Sequence, residues 1–372
     1  MRAGRVELRS FRNLDDGEVM LAEGTTVVHG PNGAGKTNLL EALYFGLAGR
    51  SCRTSRDREA IAFDAELARV EVDVLDSRPA APGGEELAAA FLASISRDGS
   101  RRHLLDGHPA SPGEAAARRP PIAVFMPDRL ALVKGPPGAR RAHLDRLLVA
   151  LWPARASIRA EYSRVLAQRN ALLGRVRAGE AADDALDTWD RELAFAAVAL
   201  RAARSDSVAL LAEPFADATA ALGLEGAATL RYAPRAPVGD AEELTAGLAE
   251  RRPSDLARGF TTAGPHRDEL ELSMEGRSLR RYGSQGQQRL ALLALLFAER
   301  EALVAAGRPT PLMLLDDVMS ELDPQRRLLL ADRLADEGQA LITTTEADQV
   351  PGDRRSLNAV DGGRIEAAAV DT

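Results

Sequence analysis

A single cysteine, Cys52, stands in 372 residues, so no internal disulfide can brace the chain. No apolar run approaches the ~20 residues of a membrane span, and Met1–Leu14 contains no apolar leader segment. These gaps exclude a disulfide-stapled miniature and a membrane-spanning protein, and they make the cytoplasm the expected compartment. The five histidines show no ligand spacing with one another or with Cys52, which argues against a zinc centre. Lysine is scarcer still: only Lys36 and Lys134 occur among the 48 basic residues, so a lysine position calls for a compact ammonium that arginine cannot supply.

What is present is ordinary globular composition, 45% hydrophobic and 28% charged. The length predicts one large α/β domain or a core with an inserted lobe. Net charge is -7, yet Arg118–Arg177 holds thirteen basic residues against Asp128, Asp145 and Glu161, a local +10 that points to a polyanion.

Val6 and Leu8 alternate as a strand, Asp15–Gly17 reads as a turn, and Thr25–His29 reads as the returning strand. Leu39, Leu40, Leu43 and Leu47 then recur at helical spacing until Gly46–Gly49 stops them. Strands follow at Ala68–Leu75, Phe91–Ser96 and Ile122–Phe125, with a polar Pro/Gly stretch at Pro79–Glu86. Beyond Pro136, one helix carries Leu144, Leu147, Leu148 and Leu151. A second runs from Ile158 to Val176 and a third from Ala185 to Leu211, with a turn at Gly174–Asp184; together they form a short helical arm. A strand at Ala227–Tyr232, a helix near Glu242–Glu250 and a strand at Leu270–Met274 lead to the helix from Gln285. Leu312–Leu315 reads as a buried parallel strand ending in two acids, and Ala340–Thr343 as the last core strand.

Gly30-Pro31-Asn32-Gly33-Ala34-Gly35-Lys36-Thr37 fits the phosphate-binding loop GxxxxGK[ST]. In this pattern the backbone of Gly30 to Asn38, through its N–H groups at every position but Pro31, would wrap the phosphates, Lys36 would bridge the terminal ones, and Thr37 would help hold Mg²⁺. A helix-capping glycine turn would explain the glycines but not the lysine and threonine at their spacing. Asp316 is the expected Mg²⁺ partner and Asp317 the general base, because acids at the end of a buried strand reach the metal and the attacking water. Ser284 and Gln287 form an S-x-x-Q capping box, which leaves Gly286, a poor helix former in a first turn, unexplained. A phosphate-facing surface of Ser284, Gln285 and Gly286 explains all of it.

These motifs, in this order and followed by Ser320-Glu321-Leu322-Asp323, resemble the ABC-type ATPase heads of SMC and RecF proteins. Finer matches resemble the RecF family: Phe11-Arg12-Asn13-Leu14, Gly35 to Ala42, Gly49-Arg50-Ser51, Arg53-Thr54-Ser55, Lys134-Gly135-Pro136, Arg140-Arg141, Gln168-Arg169-Asn170 and Gly264-Pro265-His266-Arg267-Asp268. The resemblance implies an α/β P-loop NTPase head with mixed sheets plus helices, split as residues 1–135, an inserted arm lobe at 136–260, and a returning head at 261–372. It implies a weak, Mg²⁺-dependent, DNA-stimulated ATPase that dimerises head to tail on ATP. It further implies binding to duplex and gapped or single-strand junction DNA, and partnership with RecR and RecO and, through them, RecA. Asp317 in place of the commoner glutamate, and Ile342-Thr343-Thr344-Thr345 in place of a switch histidine, go with slow hydrolysis.

Arg140, Arg141, Arg155, Arg159, Arg169, Arg175 and Arg177 are the candidate DNA contacts, with a solvated helix face as the plain alternative for any one of them. Arg50, Arg53, Arg56 and Arg58 form a second cluster, and His266 reads as a hydrogen-bonded loop residue. A transporter ATPase subunit is the competing function; its discriminants are the RecF-like motifs and the missing histidine. A structural SMC-like tether would need a longer arm.

Overall fold

The structure, a computed structural model, describes residues 1–76, 86–235, 239–335, 338–352 and 355–367. The expected spacer Pro79–Glu86 lies outside them except for Glu86. Two compact units form: one from Met1–Arg129, Ala221–Gly223 and Leu303–Thr372, the other from Leu130–Ala220 and Leu224–Ala302.

The first unit holds two six-stranded sheets. One is antiparallel, in the order Gly17–Met20, Arg2–Arg9, Leu67–Asp76, Glu86–Ser96, Arg101–Leu105 and His108–Pro109. Val70, Val72 and Val74 alternate into its core, as a two-residue period requires. The other runs Arg364–Ala367, Arg355–Asp361, Thr25–His29, Ala340–Thr344, Leu312–Asp316 and Ile122–Phe125, parallel except at the edge hairpin. Leu312–Asp316 is buried at every position, as expected of a central parallel strand.

Two strand expectations change. The turn after Arg2–Arg9 closes on Gly17–Met20, while Thr25–His29 leaves for the parallel sheet. Ala340–Thr344 is not the last core strand, because Arg355–Asp361 pairs in parallel with Thr25–His29. Lys36–Ala48 packs against strands of both sheets, so its buried residues extend beyond one stripe to Glu41, Ala42 and Phe45. Gly46 permits the approach: a Cβ there would stand 2.6 Å from Val72 Cγ2.

The second unit combines the helices Pro137–Leu151, Ser157–Arg177, Leu186–Ala221 and Ala241–Arg258 with a three-stranded antiparallel sheet, Arg277–Ser278, Glu269–Met274 and Ala228–Ala233. Tyr162, Val165, Leu193, Ala197 and Leu200 zip the arm helices together, and Leu248 closes the cluster. The third arm helix continues past Leu211 to Ala221 and carries Pro214. The head returns at Leu303, not at residue 261, because Glu269–Met274 pairs with Ala228–Ala233 and the helix from Gln285 stays with this unit through Ala302.

The arginine stretch read as a DNA face divides here. Arg140 and Arg169 are corrected: neither faces solvent. Arg140 is 3% exposed, forks onto Glu269 at 2.8 and 2.9 Å, and donates to the carbonyls of Leu132, Val133 and Gly135. Arg169 is fully buried and bonds Asp190 at 2.6 Å, Asp255 at 2.8 Å and Thr261 Oγ1 at 2.7 Å. Arg141 is half-buried and donates to Asp268 O, and Arg155 pairs with Asp206 over the Trp152 ring. Arg159 is exposed but bound to Asp145 at 3.1 Å. Arg175 and Arg177 are exposed and without an ionic partner among the described residues.

These buried pairs hold the lobe in one arrangement, and removing one partner strands the other charge. Arg169→Ala leaves Asp190 and Asp255 buried and uncompensated, with an expected loss of about 3–5 kcal/mol in chemical denaturation. A loss below about 1 kcal/mol, the value of an exposed pair, contradicts this.

Candidate nucleotide site

Thr25–His29 delivers the chain to Gly30, where φ is 153° and a Cβ would stand 2.0 Å from Val360 O, so only glycine fits. At Gly33 nothing lies within 4 Å of an added Cβ, which leaves the loop open on that side. Lys36 is buried at the helix start, and its Nζ donates to Gly30 O at 2.8 Å and Pro31 O at 2.9 Å. Burial lowers its pKa, opposed by the charges of Asp317 and Asp316.

Asp316 and Asp317 arrive beside this loop at the end of Leu312–Asp316. Thr37 Oγ1 donates to Asp316 Oδ1 at 2.7 Å, which brings together the two residues assigned to Mg²⁺. Thr343, paired with Asp316 in strand register, donates its hydroxyl to the same oxygen at 2.7 Å. Asp317 has φ 48°, and its N–H donates to Thr343 Oγ1 and O. Its Oδ1 is buried without a hydrogen-bond partner. A buried, unpaired carboxylate oxygen costs free energy unless a ligand or water completes it, so this atom marks a site for one. Two oxygen donors, a lysine and an open glycine loop are the donor set for a triphosphate with Mg²⁺.

Behind the loop lies a brace that joins the RecF-like segments around Asn13, Asn38 and Arg53, contacts that their spacing in sequence did not reveal. Asn13 Nδ2 donates to Gly33 O at 3.2 Å, Asn38 Nδ2 donates to Asn13 Oδ1 at 2.6 Å, and Arg53 Nη1 donates to Asn38 Oδ1 at 2.8 Å. Asn38, read as a phosphate contact, thus has its side chain engaged in holding the loop. Arg12 forks onto the buried Glu41, which Arg53 and Ser51 also contact. Burial, and after it the charge of Glu41, pushes the Cys52 thiol up to about 12, so it carries no reactive thiolate.

Ser284, Gln285 and Gly286 lie in the other unit, all exposed. The capping box is present, Ser284 N to Gln287 Oε1 at 2.8 Å and Gln287 N to Ser284 Oγ at 3.2 Å. Gln288 ties the turn down through Leu279 O and Gly283 O. A Cβ on Gly286 would meet nothing nearer than Ser284 Oγ at 4.0 Å, so the helix start presents a flat, open surface. His266 is the loop residue expected: its Nδ1 meets Tyr162 OH at 2.6 Å and its Nε2 meets Thr261 O.

The family described as RecF/RecN/SMC N terminal domain matches residues 3–360. A protein of Anaeromyxobacter sp. (strain Fw109-5), called DNA replication and repair protein RecF, is 40% identical over 98% of this chain and 99% of its own. This chain belongs to the RecF family. A RecF of Myxococcus xanthus (strain DK1622) is 37% identical over 99% of this chain and 98% of its own. Among solved structures, the recombination mediator protein RecF with ATP, of the RecFOR pathway, superimposes with TM-score 0.83 at 27% identity, covering 99% of this chain and 98% of that one. An Smc head bound to the C-winged helix domain of ScpA shares the fold, with TM-score 0.60 at 18% identity over 100% and 98% of the two chains. RecF membership and the ABC-type head fold displace the transporter reading. No described helix is long and apolar enough to cross a membrane.

Proposed function

We propose that this RecF-family chain is an ATP-controlled DNA clamp of cytoplasmic replication and recombinational repair. ATP with Mg²⁺ sits in the glycine loop of one copy and is sealed by Ser284–Gly286 of a second, in a head-to-tail dimer. The closed dimer holds duplex and gapped DNA and, with RecO and RecR, promotes RecA loading; slow, DNA-stimulated hydrolysis reopens it. The observation that carries this reading is the unpaired Asp317 Oδ1 beside Thr37 and Asp316, in a chain whose signature surface is exposed.

Lys36 exchanges its two carbonyl partners for phosphate oxygens, and its desolvated ammonium favours that exchange. Thr37 and Asp316 are the residues that would hold Mg²⁺, which when bound neutralises charge on the phosphates. Thr343 keeps Asp316 oriented, and through the Asp317 N–H it aims the second carboxylate. Asp317 Oδ1 accepts a proton from the attacking water. Because nucleotide binds the closed state far better than the open one, it shifts the population toward closure.

The reading expects duplex affinity to rise at least tenfold on adding ATP and Mg²⁺ and to fall with salt, measured by fluorescence anisotropy at two salt concentrations. Equal affinity with and without nucleotide contradicts it.

A further inference from the structure

The cations expected to meet DNA on the arm are largely paired, but a different set is not. A cleft of 630 Å³ opens in the second unit beside the short helix Leu279–Tyr282, against the strand Glu269–Met274. Lys134, Arg235, Arg280 and Arg281 line it, and all four are exposed. Among the described residues nothing accepts a hydrogen bond from the side chains of Lys134, Arg235 or Arg280, while Arg281 rests over the Tyr282 ring. The acids in the cleft are already neutralised, Glu269 by the buried Arg140 and Glu271 by Arg231 at 2.6 Å.

Four uncompensated cations in a concave wall focus positive potential on whatever enters. Lys134 is one of two lysines in the chain, and the other serves a phosphate loop. Among the described residues that line the cleft none is aromatic, which favours a backbone phosphate over a stacked base as the recognised group. We infer that this cleft is a phosphate-backbone site for duplex DNA, formed by Lys134, Arg235, Arg280 and Arg281. The inference rests on the clamp reading and gives its DNA track a position.

The position links DNA to nucleotide. Arg280 and Arg281 sit in the turn that runs directly into Ser284; Gly283 N bonds Leu279 O at 3.1 Å, and Gln288 Nε2 bonds the same carbonyl at 2.9 Å. A phosphate gripped by Arg280 therefore bears on the segment that seals the second copy's nucleotide.

The test compares the full-length wild type, a Lys134→Ala/Arg280→Ala double variant and an Arg175→Ala/Arg177→Ala arm variant. Duplex affinity is titrated across salt in the presence of a non-hydrolysable ATP analogue. Because the altered side chains are exposed and unpaired, analogue affinity should match the wild type and serve as the folding control. The slope of log affinity against log salt should fall by about 0.9 for each phosphate that is no longer neutralised, so by about 1.8 per copy in the cleft variant and by less in the arm variant. An unchanged slope and affinity in the cleft variant, with the wild type still binding duplex, overturns the inference and assigns the cleft to another anion such as an acidic protein segment. A wild type that binds no duplex overturns the clamp reading itself.

Discussion

Replacing Asp317 with asparagine should slow ATP turnover by on the order of 10²- to 10⁴-fold while ATP stays bound, the range expected when a positioned base is lost. The amide is a conservative probe because Asn tolerates the left-handed backbone at φ 48° as Asp does, so the N–H contacts to Thr343 persist. It removes the negative charge near the transferred phosphate and the basic Oδ1. The dimer should therefore close and fail to reopen, and its DNA complex should outlive that of the wild type. Single-turnover kinetics with ATP and a dissociation assay check both parts. Turnover within about threefold of the wild type, far short of the loss of a positioned base, would show that another group takes the proton.

Lys36→Met and Ser284→Arg should both abolish ATP-driven dimerisation, by opposite routes. Methionine cannot make the charge-assisted bonds that Lys36, which here donates to Gly30 O and Pro31 O, would form to phosphate, each worth roughly 1.5–3 kcal/mol, which corresponds to about a tenfold to hundredfold loss of ATP affinity apiece. Ser284→Arg leaves the glycine loop untouched, so ATP affinity in the monomer should survive. The bulky guanidinium occupies the flat surface at Gly286 and keeps the second copy away. Equilibrium binding of a fluorescent ATP analogue separates the two variants: weak for Lys36→Met, near wild type for Ser284→Arg.

Features encoded within a few residues were legible in the sequence. The glycine loop, the capping box at Ser284 and Gln287, and the apolar run ending at Asp316 were all read from local spacing and found in place. Features made by distant residues were not. Thr343 meets Asp316 only through strand register across 27 residues, so its share in orienting the acids had no local signal. The basic stretch misled because charge was counted along the chain, whereas Arg169 is neutralised by acids 21 and 86 residues away and Arg140 by one 129 residues away. The unneutralised cations of the cleft, from Lys134 to Arg281, are scattered along the sequence and converge only in the fold. The head boundary was misplaced for the same reason. The resemblance placed the return at residue 261, while strand pairing keeps that segment with the second unit until Leu303.

Sedimentation of Ser284→Arg beside the wild type, each with ATP and Mg²⁺, tests the shared site most directly. The wild type should double in mass, and the variant should remain a monomer with ATP bound. A variant that doubles as readily as the wild type would show that the serine turn does not seal the nucleotide of a second copy.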